Sequence, residues 1–116
     1  MYTENLLNYA QNPPNYGNIK DADVVLDAEN ASCGDNLKVF IKLDKNIITS
    51  ATFEGNGCAI SKASTSMTLE DIVGKDIKTI LQVSKDDIDK KLGLKVSGAR
   101  QKCAYLILNA FKTLQK

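Results

Sequence analysis

Three cysteines, Cys33, Cys58 and Cys103, stand far apart in this chain, and each lies beside charged or turn-forming residues. The middle one sits in FEGNGCAIS, residues 53 to 61, where an alternating run ends at Phe53, Gly55 and Gly57 permit a sharp turn, and a helix is expected to begin at Cys58. A thiol there would meet unpaired helix N–H groups and the positive end of the helix dipole, both of which favour thiolate. Cys58 is therefore a candidate ligand or nucleophile, although a single cysteine can equally be a small buried apolar residue. Cys103 follows Arg100 and Lys102, cations that favour thiolate, yet its spacing also puts it on the apolar face of a helix. Beside Cys33 stands Asp35, either a hard oxygen donor or the acceptor of an Asx turn after Gly34. Three thiols and one carboxylate would supply four anionic donors, a set suited to tetrahedral zinc or a thiolate-held iron-sulfur cluster if the fold brings them together.

Composition narrows the alternatives. The chain has 116 residues and no histidine, so the commonest metal ligand and neutral-pH general base is missing, and a metal site must come from Cys, Asp or Glu. Fifteen basic and fourteen acidic residues leave a net charge of +1, with lysines interleaved among acids. That is no basic stripe for nucleic acid. No apolar leader and no run of about 18 apolar residues is found, so neither secretion nor membrane insertion is expected, and the thiols are read as reduced and cytoplasmic. Three cysteines separated by 25 and 45 residues match neither a zinc-finger nor a CxxC spacing. The length predicts one domain, residues 1–116, able to bury a core without staples.

The elements that must position these groups follow from periodicity. Thr3 is a plausible cap for a short helix carrying Leu6, Leu7 and Ala10, stopped by Pro13-Pro14. NPPNYGN, residues 12 to 18, reads as a turn-rich connector, and Val24 to Leu26 as a short strand ended by ENAS, residues 29 to 32. Leu37, Val39, Ile41 and Leu43 alternate with Lys38, Phe40 and Lys42, which predicts a strand with one face in the core. Asp44-Lys45-Asn46 turns it back into residues 47 to 54, with Ile47, Ala51 and Phe53 on one face. Such a hairpin brings positions 33 and 58 to the same end of the sheet.

A helix from Cys58 to about Val73 is rich in Ala and Ser and stops at Gly74; its small side chains suit tight packing on the sheet or the close approach of a partner. Asp76 caps a segment with Ile77, Ile80 and Leu81, and Ser84 with Asp87 caps another with Ile88 and Leu92 before Gly93. Ser97 opens a last helix in which Ala99, Cys103, Leu106, Ala110 and Leu114 recur at helical spacing. Strands first and helices after predict an α+β domain, with helices packed on one face of a small antiparallel sheet.

Read together, NPxNxG at Asn12 to Gly17, SCGD at Ser32 to Asp35, GxGC at Gly55 to Cys58, RxKCA at Arg100 to Ala104 and the early Tyr2 resemble the iron-sulfur cluster assembly scaffolds of the IscU, SufU and NifU N-terminal type. The resemblance covers nearly the whole chain. It implies a three-stranded antiparallel sheet, with Cys33, Cys58 and Cys103 as cluster-ligating cysteines and Asp35 as the family's aspartate. Two features depart from either branch. Lys102 stands where IscU proteins have histidine, as in SufU proteins, which share Arg100, whereas the gap from Cys58 to Cys103 has the shorter IscU-like length. GLKVS, residues 93 to 97, replaces the LPPVK chaperone-recognition motif, which puts recruitment of a specialised Hsp70 chaperone in doubt.

The resemblance further implies that a cysteine desulfurase delivers persulfide sulfur to a thiolate, with Cys33 and Cys103 the candidate acceptors. Iron and electrons then give a [2Fe-2S] cluster that passes to apo-proteins. The chain would act as a scaffold rather than an enzyme in the strict sense. The alternative is a zinc-dependent sulfurtransferase that accepts sulfur without building a cluster. Arg100 would attract the persulfide or contact the desulfurase, or else be a solvated first-turn arginine.

Overall fold

In a computed structural model, which describes residues 4–30, 34–57, 59–93 and 100–115, a three-stranded antiparallel sheet carries helices on one face. In chain order the elements are α1 (Glu4–Gln11), β1 (Val24–Asn30), β2 (Asp35–Asp44), β3 (Ile47–Glu54), α2 (Ala59–Ile72), a 3-10 turn (Ile77–Gln82), α3 (Lys85–Leu92), α4 (Arg100–Ala104) and α5 (Leu106–Lys112). A second 3-10 turn, Thr113–Gln115, follows. The strands lie in the order β1-β2-β3.

The hairpin forms as its alternation predicts. Lys45 and Asn46 both take positive φ, 53° and 71°, the signature of a two-residue turn whose twist matches that of the strands. Leu37, Val39 and Ile41 point into the core. The register, however, slips between Lys42 and Leu43: Lys42 pairs with Ser50, but Leu43 pairs with Ile48, so β3 holds one residue more than its partner. This bulge turns Ile48 into the core and leaves Ile47 38% exposed, reversing the face expected for Ile47.

Strand β1 also runs further than expected. It reaches Asn30, with Leu26 inward and Asp27 and Glu29 outward, because the ladder with β2 continues to the pair Asn30–Asp35 and outweighs the poor strand propensity of Glu and Asn. Residues 31 and 32, the rest of the expected stop, lie outside the described residues.

Helix α2 is buried almost all round. Ala63, Ser64, Thr65, Ser66, Thr68 and Leu69 are all shielded from solvent, and α2 contacts β3 as well as α1, α3, α4 and α5. Small side chains here serve tight packing, one of the two readings of the sequence. The remaining helices form a shell around it. In α1, Ala10 is buried but Leu7 is exposed, because Tyr9 rather than Leu7 turns toward α2 and donates a hydrogen bond to Glu70. The expected cap Thr3 lies outside the described residues, as do Ser97 and Ala99.

The other caps are observed. Asp76 accepts from the Lys78 N–H at 2.9 Å, and Ser84 and Asp87 form a reciprocal capping box closed at the far end by Gly93 in the left-handed conformation. In the segment that Asp76 caps, Ile80 is buried and Leu81 is exposed. The last helix is interrupted at Tyr105, whose φ of −99° and ψ of 9° separate α4 from α5, but Cys103, Leu106 and Ala110 still reach the core.

The bulge gives a direct test. Ile48→Ala should lose about 2–4 kcal/mol of unfolding free energy in urea, while Ile47→Ala loses less than about 1 kcal/mol; equal losses would place the register elsewhere.

Candidate metal and sulfur site

Asp35 opens β2 on the same face as Leu37, Val39 and Ile41, so strand alternation carries its side chain inward at the end of the sheet. It is 6% exposed, and its Oδ2 atom has no hydrogen-bond partner among the described residues. An ionised carboxylate in that situation is costly unless a cation meets it, which is why buried charges are normally paired or bound to metal. Gly34, just before it, takes φ +75° and donates to Asn30 O at 2.9 Å, closing the turn between β1 and β2.

Across from Asp35 lies the segment that leads to position 58. Asn36 N–H donates to Asn56 O at 2.8 Å, and Asn56 N–H donates to the Asn36 side-chain oxygen at 3.2 Å. These bonds extend the hairpin past the end of β3 and put Asp35 beside Gly57: a Cβ on Gly57 would stand 3.6 Å from the Asp35 carboxyl carbon and 3.0 Å from Ser61 Oγ. Gly55 is constrained more tightly. Its φ is +148°, and a Cβ there would come within 2.2 Å of Asn36 O. Gly55 is thus demanded by contact with the start of β2, while Gly57 sits tightly against Ser61 of α2 and in ordinary contact with Asp35. Position 58 follows directly, between Gly57 and the first residue of α2.

Cys103 is buried in α4, which packs on α2. Two residues before it, Gln101 lines an open polar cleft of about 390 Å³ together with Glu29 and Asn30 at the end of β1, Lys85 of α3, and Tyr105 and Lys112. Tyr105 donates to Asp89 at 2.8 Å with the Lys85 ammonium 5.4 Å from its ring centre, and burial together with that carboxylate pushes its pKa up to about 12. Gln101 of α4 thus shares this cleft with the end of β1, from which the chain passes into residues 31–33.

Among the four candidate ligands, the described residues place Asp35 and Cys103; Cys33 and Cys58 lie outside them, and the side chains of Arg100 and Lys102 are likewise not described. Within the described residues no three acidic or thiol groups gather as a metal centre, since two of the proposed four fall outside that set. The donors that are described suit a metal or cluster edge. A buried carboxylate oxygen lacks a partner, and glycines keep the space next to it clear of side chains.

A family model for the NifU-like N-terminal domain matches residues 1–114. The chain belongs to that family. The zinc-dependent sulfurtransferase SufU of Bacillus subtilis is 37% identical to it across the whole chain and 88% of the relative's length. The iron-sulfur cluster assembly scaffold protein IscU of Thermotoga maritima is 37% identical over 74% of the chain, an alignment that spans 61% of that relative. A solved structure described as a SUF-system cluster assembly scaffold from Fervidobacterium islandicum AW-1 superimposes with a TM-score of 0.79 at 27% identity, covering 97% of this chain and 94% of that one. The B. subtilis alignment runs over 133 positions against 116 residues here, so that relative carries an insertion which this chain lacks.

The sequence reading missed Asn15 and Tyr16, which grip the loop before position 58 and are taken up below. It also left Asp35 open between donor and turn residue. The alternation of β2, extended one step toward the N-terminus, would have placed it inward.

Asp35→Ala distinguishes a ligand from a structural carboxylate. In metal-free protein the substitution should leave unfolding free energy within about 1 kcal/mol of wild type or raise it, because no partner is lost. With zinc added, the wild-type midpoint in urea should rise by more than that of the variant.

Proposed function

We propose that this protein is an iron-sulfur cluster assembly scaffold that accepts sulfur from a cysteine desulfurase, assembles a [2Fe-2S] cluster and transfers it to apo-proteins. Residues 1–116 act as one scaffold domain, and Cys33, Asp35, Cys58 and Cys103 are the ligands. The observation that carries the proposal is the buried Asp35 carboxylate, whose Oδ2 has no partner among the described residues, beside the glycine that precedes Cys58. A thiolate-rich site with one oxygen donor also suits transfer, since a hard oxygen holds iron less firmly than sulfur does and supplies the bond that yields first.

In the sulfur-accepting step, the thiolate of Cys33 or Cys103 attacks the outer sulfur of the desulfurase persulfide. A new S–S bond forms as the old one breaks, and the desulfurase cysteine leaves as thiolate, so no electrons are gained or lost overall. Reduction of each transferred sulfur to sulfide takes two electrons, one from a ferrous ion that becomes ferric and one from an external reductant, so that two irons and two sulfurs give the oxidised [2Fe-2S] cluster. Arg100, at the start of α4, is the cation proposed to meet the persulfide or the desulfurase.

A second reading is kept because a relative named as a zinc-dependent sulfurtransferase aligns with the whole chain, and because Lys102 replaces histidine before the third cysteine. Zinc, when bound by the same four residues, would keep thiolates deprotonated and shield them from oxidation. Asp35 would supply the one oxygen donor of that set. Either way the site works in water, and no described helix is long and apolar enough to cross a membrane. The cytoplasm is the proposed compartment.

Anaerobic incubation with ferrous iron, cysteine and a desulfurase should give a coloured, transferable cluster in wild type and none in Cys33→Ala, Cys58→Ala or Cys103→Ala. A persulfide adduct and faster desulfurase turnover with about one bound zinc and no cluster would favour the sulfurtransferase. Neither cluster nor persulfide would overturn both.

A further inference from the structure

The connector between α1 and β1 does more than turn the chain. Pro13 to Gly17 lies along the outer edge of β3, where Gly17 N–H donates to Phe53 O at 2.8 Å and Phe53 N–H donates to Asn15 O at 3.1 Å. One residue further on, the Tyr16 hydroxyl meets both polar groups of Gly55, donating to its carbonyl at 3.2 Å and accepting from its N–H at 3.4 Å. The Asn15 side chain reaches the other way, into α2: its Nδ2 donates to Ser66 O at 3.2 Å, and Ser66 Oγ donates to its Oδ1 at 2.6 Å. The strand and loop before position 58 and the helix after it are therefore fastened to the same short segment.

Core packing does not account for Tyr16. It is 50% exposed, and a phenylalanine would make the same edge-on contact with Phe53, whose ring centre lies 5.2 Å away. What the hydroxyl adds is a hold on Gly55, a residue in a backbone conformation that L side chains rarely adopt and that lies against Asn36 O. A loop of glycines without such a hold has many other conformations open to it.

We infer that Tyr16, with Asn15, is a positioning residue for the loop that leads to Cys58: its hydroxyl fixes the backbone at Gly55, three residues before that thiol. The inference rests on the reading of Cys58 as a ligand. Tyr16 touches neither metal nor sulfur and acts through Gly55. Residues that orient ligands in this way typically change metal affinity 10–100-fold when altered.

Tyr16→Phe removes only the hydroxyl, and Tyr9→Phe, which breaks the Tyr9–Glu70 hydrogen bond on α1, is the matched control. Tyr16→Phe loses two long hydrogen bonds to a single residue and Tyr9→Phe loses one, to Glu70, so both unfolding midpoints should fall by small amounts. In metal-free, reduced protein, iodoacetamide labelling of Cys58, followed by peptide mass mapping and referred to Cys33 and Cys103 in the same sample, should change several-fold in Tyr16→Phe and stay at the wild-type value in Tyr9→Phe. Zinc affinity, measured against a chromophoric chelator, should fall about tenfold or more in Tyr16→Phe alone. A Cys58 labelling ratio in Tyr16→Phe equal to that of Tyr9→Phe overturns the inference. If wild type binds neither zinc nor cluster, the proposed function fails, and the labelling ratio still decides the role of Tyr16.

Discussion

Two hydrogen bonds between Asn36 and Asn56 hold together the end of the sheet that carries Asp35. They continue the β2–β3 pairing beyond the last regular residue of β3, and so decide which part of the following loop faces Asp35. Without them the inward turn of Asp35 would bury a carboxylate against nothing in particular. With them, it lies against Gly57 at the entrance to α2. Glycine at position 55 then follows as a necessity, since a side chain there would strike the Asn36 backbone, and one at position 57 would crowd Ser61. A short stretch of backbone pairing thus accounts for both the spacing of the GxGC motif and the neighbourhood of the acid.

Much of this was legible beforehand, and what was not has physical reasons. The hairpin could be read because four inward residues alternate and a two-residue turn joins the strands; the α3 caps could be read because Ser84, Asp87 and Gly93 act locally. The bulge could not, since an extra residue in β3 leaves no mark in the hydrophobic pattern and is settled by pairing across the ladder. Nor could the break at Tyr105, because Cys103, Leu106 and Ala110 keep helical spacing through it. Asn15 and Tyr16 escaped for another reason: their partners are 51 and 39 residues away, and side chain to backbone contacts have no period. In the site itself, alternation predicts the inward turn of Asp35 and helical spacing the burial of Cys103. The convergence of the thiols was implied by the family resemblance and by hairpin arithmetic, and Cys33 and Cys58 lie outside the described residues.

Helix α2 shows how the rest of the fold serves this end. A helix enclosed by sheet and helices normally needs large apolar residues, yet this one is lined by alanine, serine and threonine. Small side chains let the surrounding elements approach closely, and Ser66 uses its hydroxyl to tie the connector down. The helix's own large apolar residues, Ile60, Met67, Leu69 and Ile72, meet Ile41, Ile48 and Phe53 on the sheet and Ile88, Leu106 and Phe111 on the outer helices in one core.

The two margins of the sheet are treated differently. Along β3 the backbone is already occupied, by Asn15 and Gly17 at one end and by Gly74 and Lys75 at the other, where Ile48 N–H donates to Lys75 O at 2.8 Å and Gly74 N–H donates to Ile48 O at 2.7 Å. β1 ends the sheet on the opposite side and presents Asp27 and Glu29 on its solvent face. A second copy approaching β1 edge to edge would align like charges. The molecule is thereby guarded against zippering into polymers, by hydrogen-bonded segments of its own chain on one flank and by electrostatic repulsion on the other.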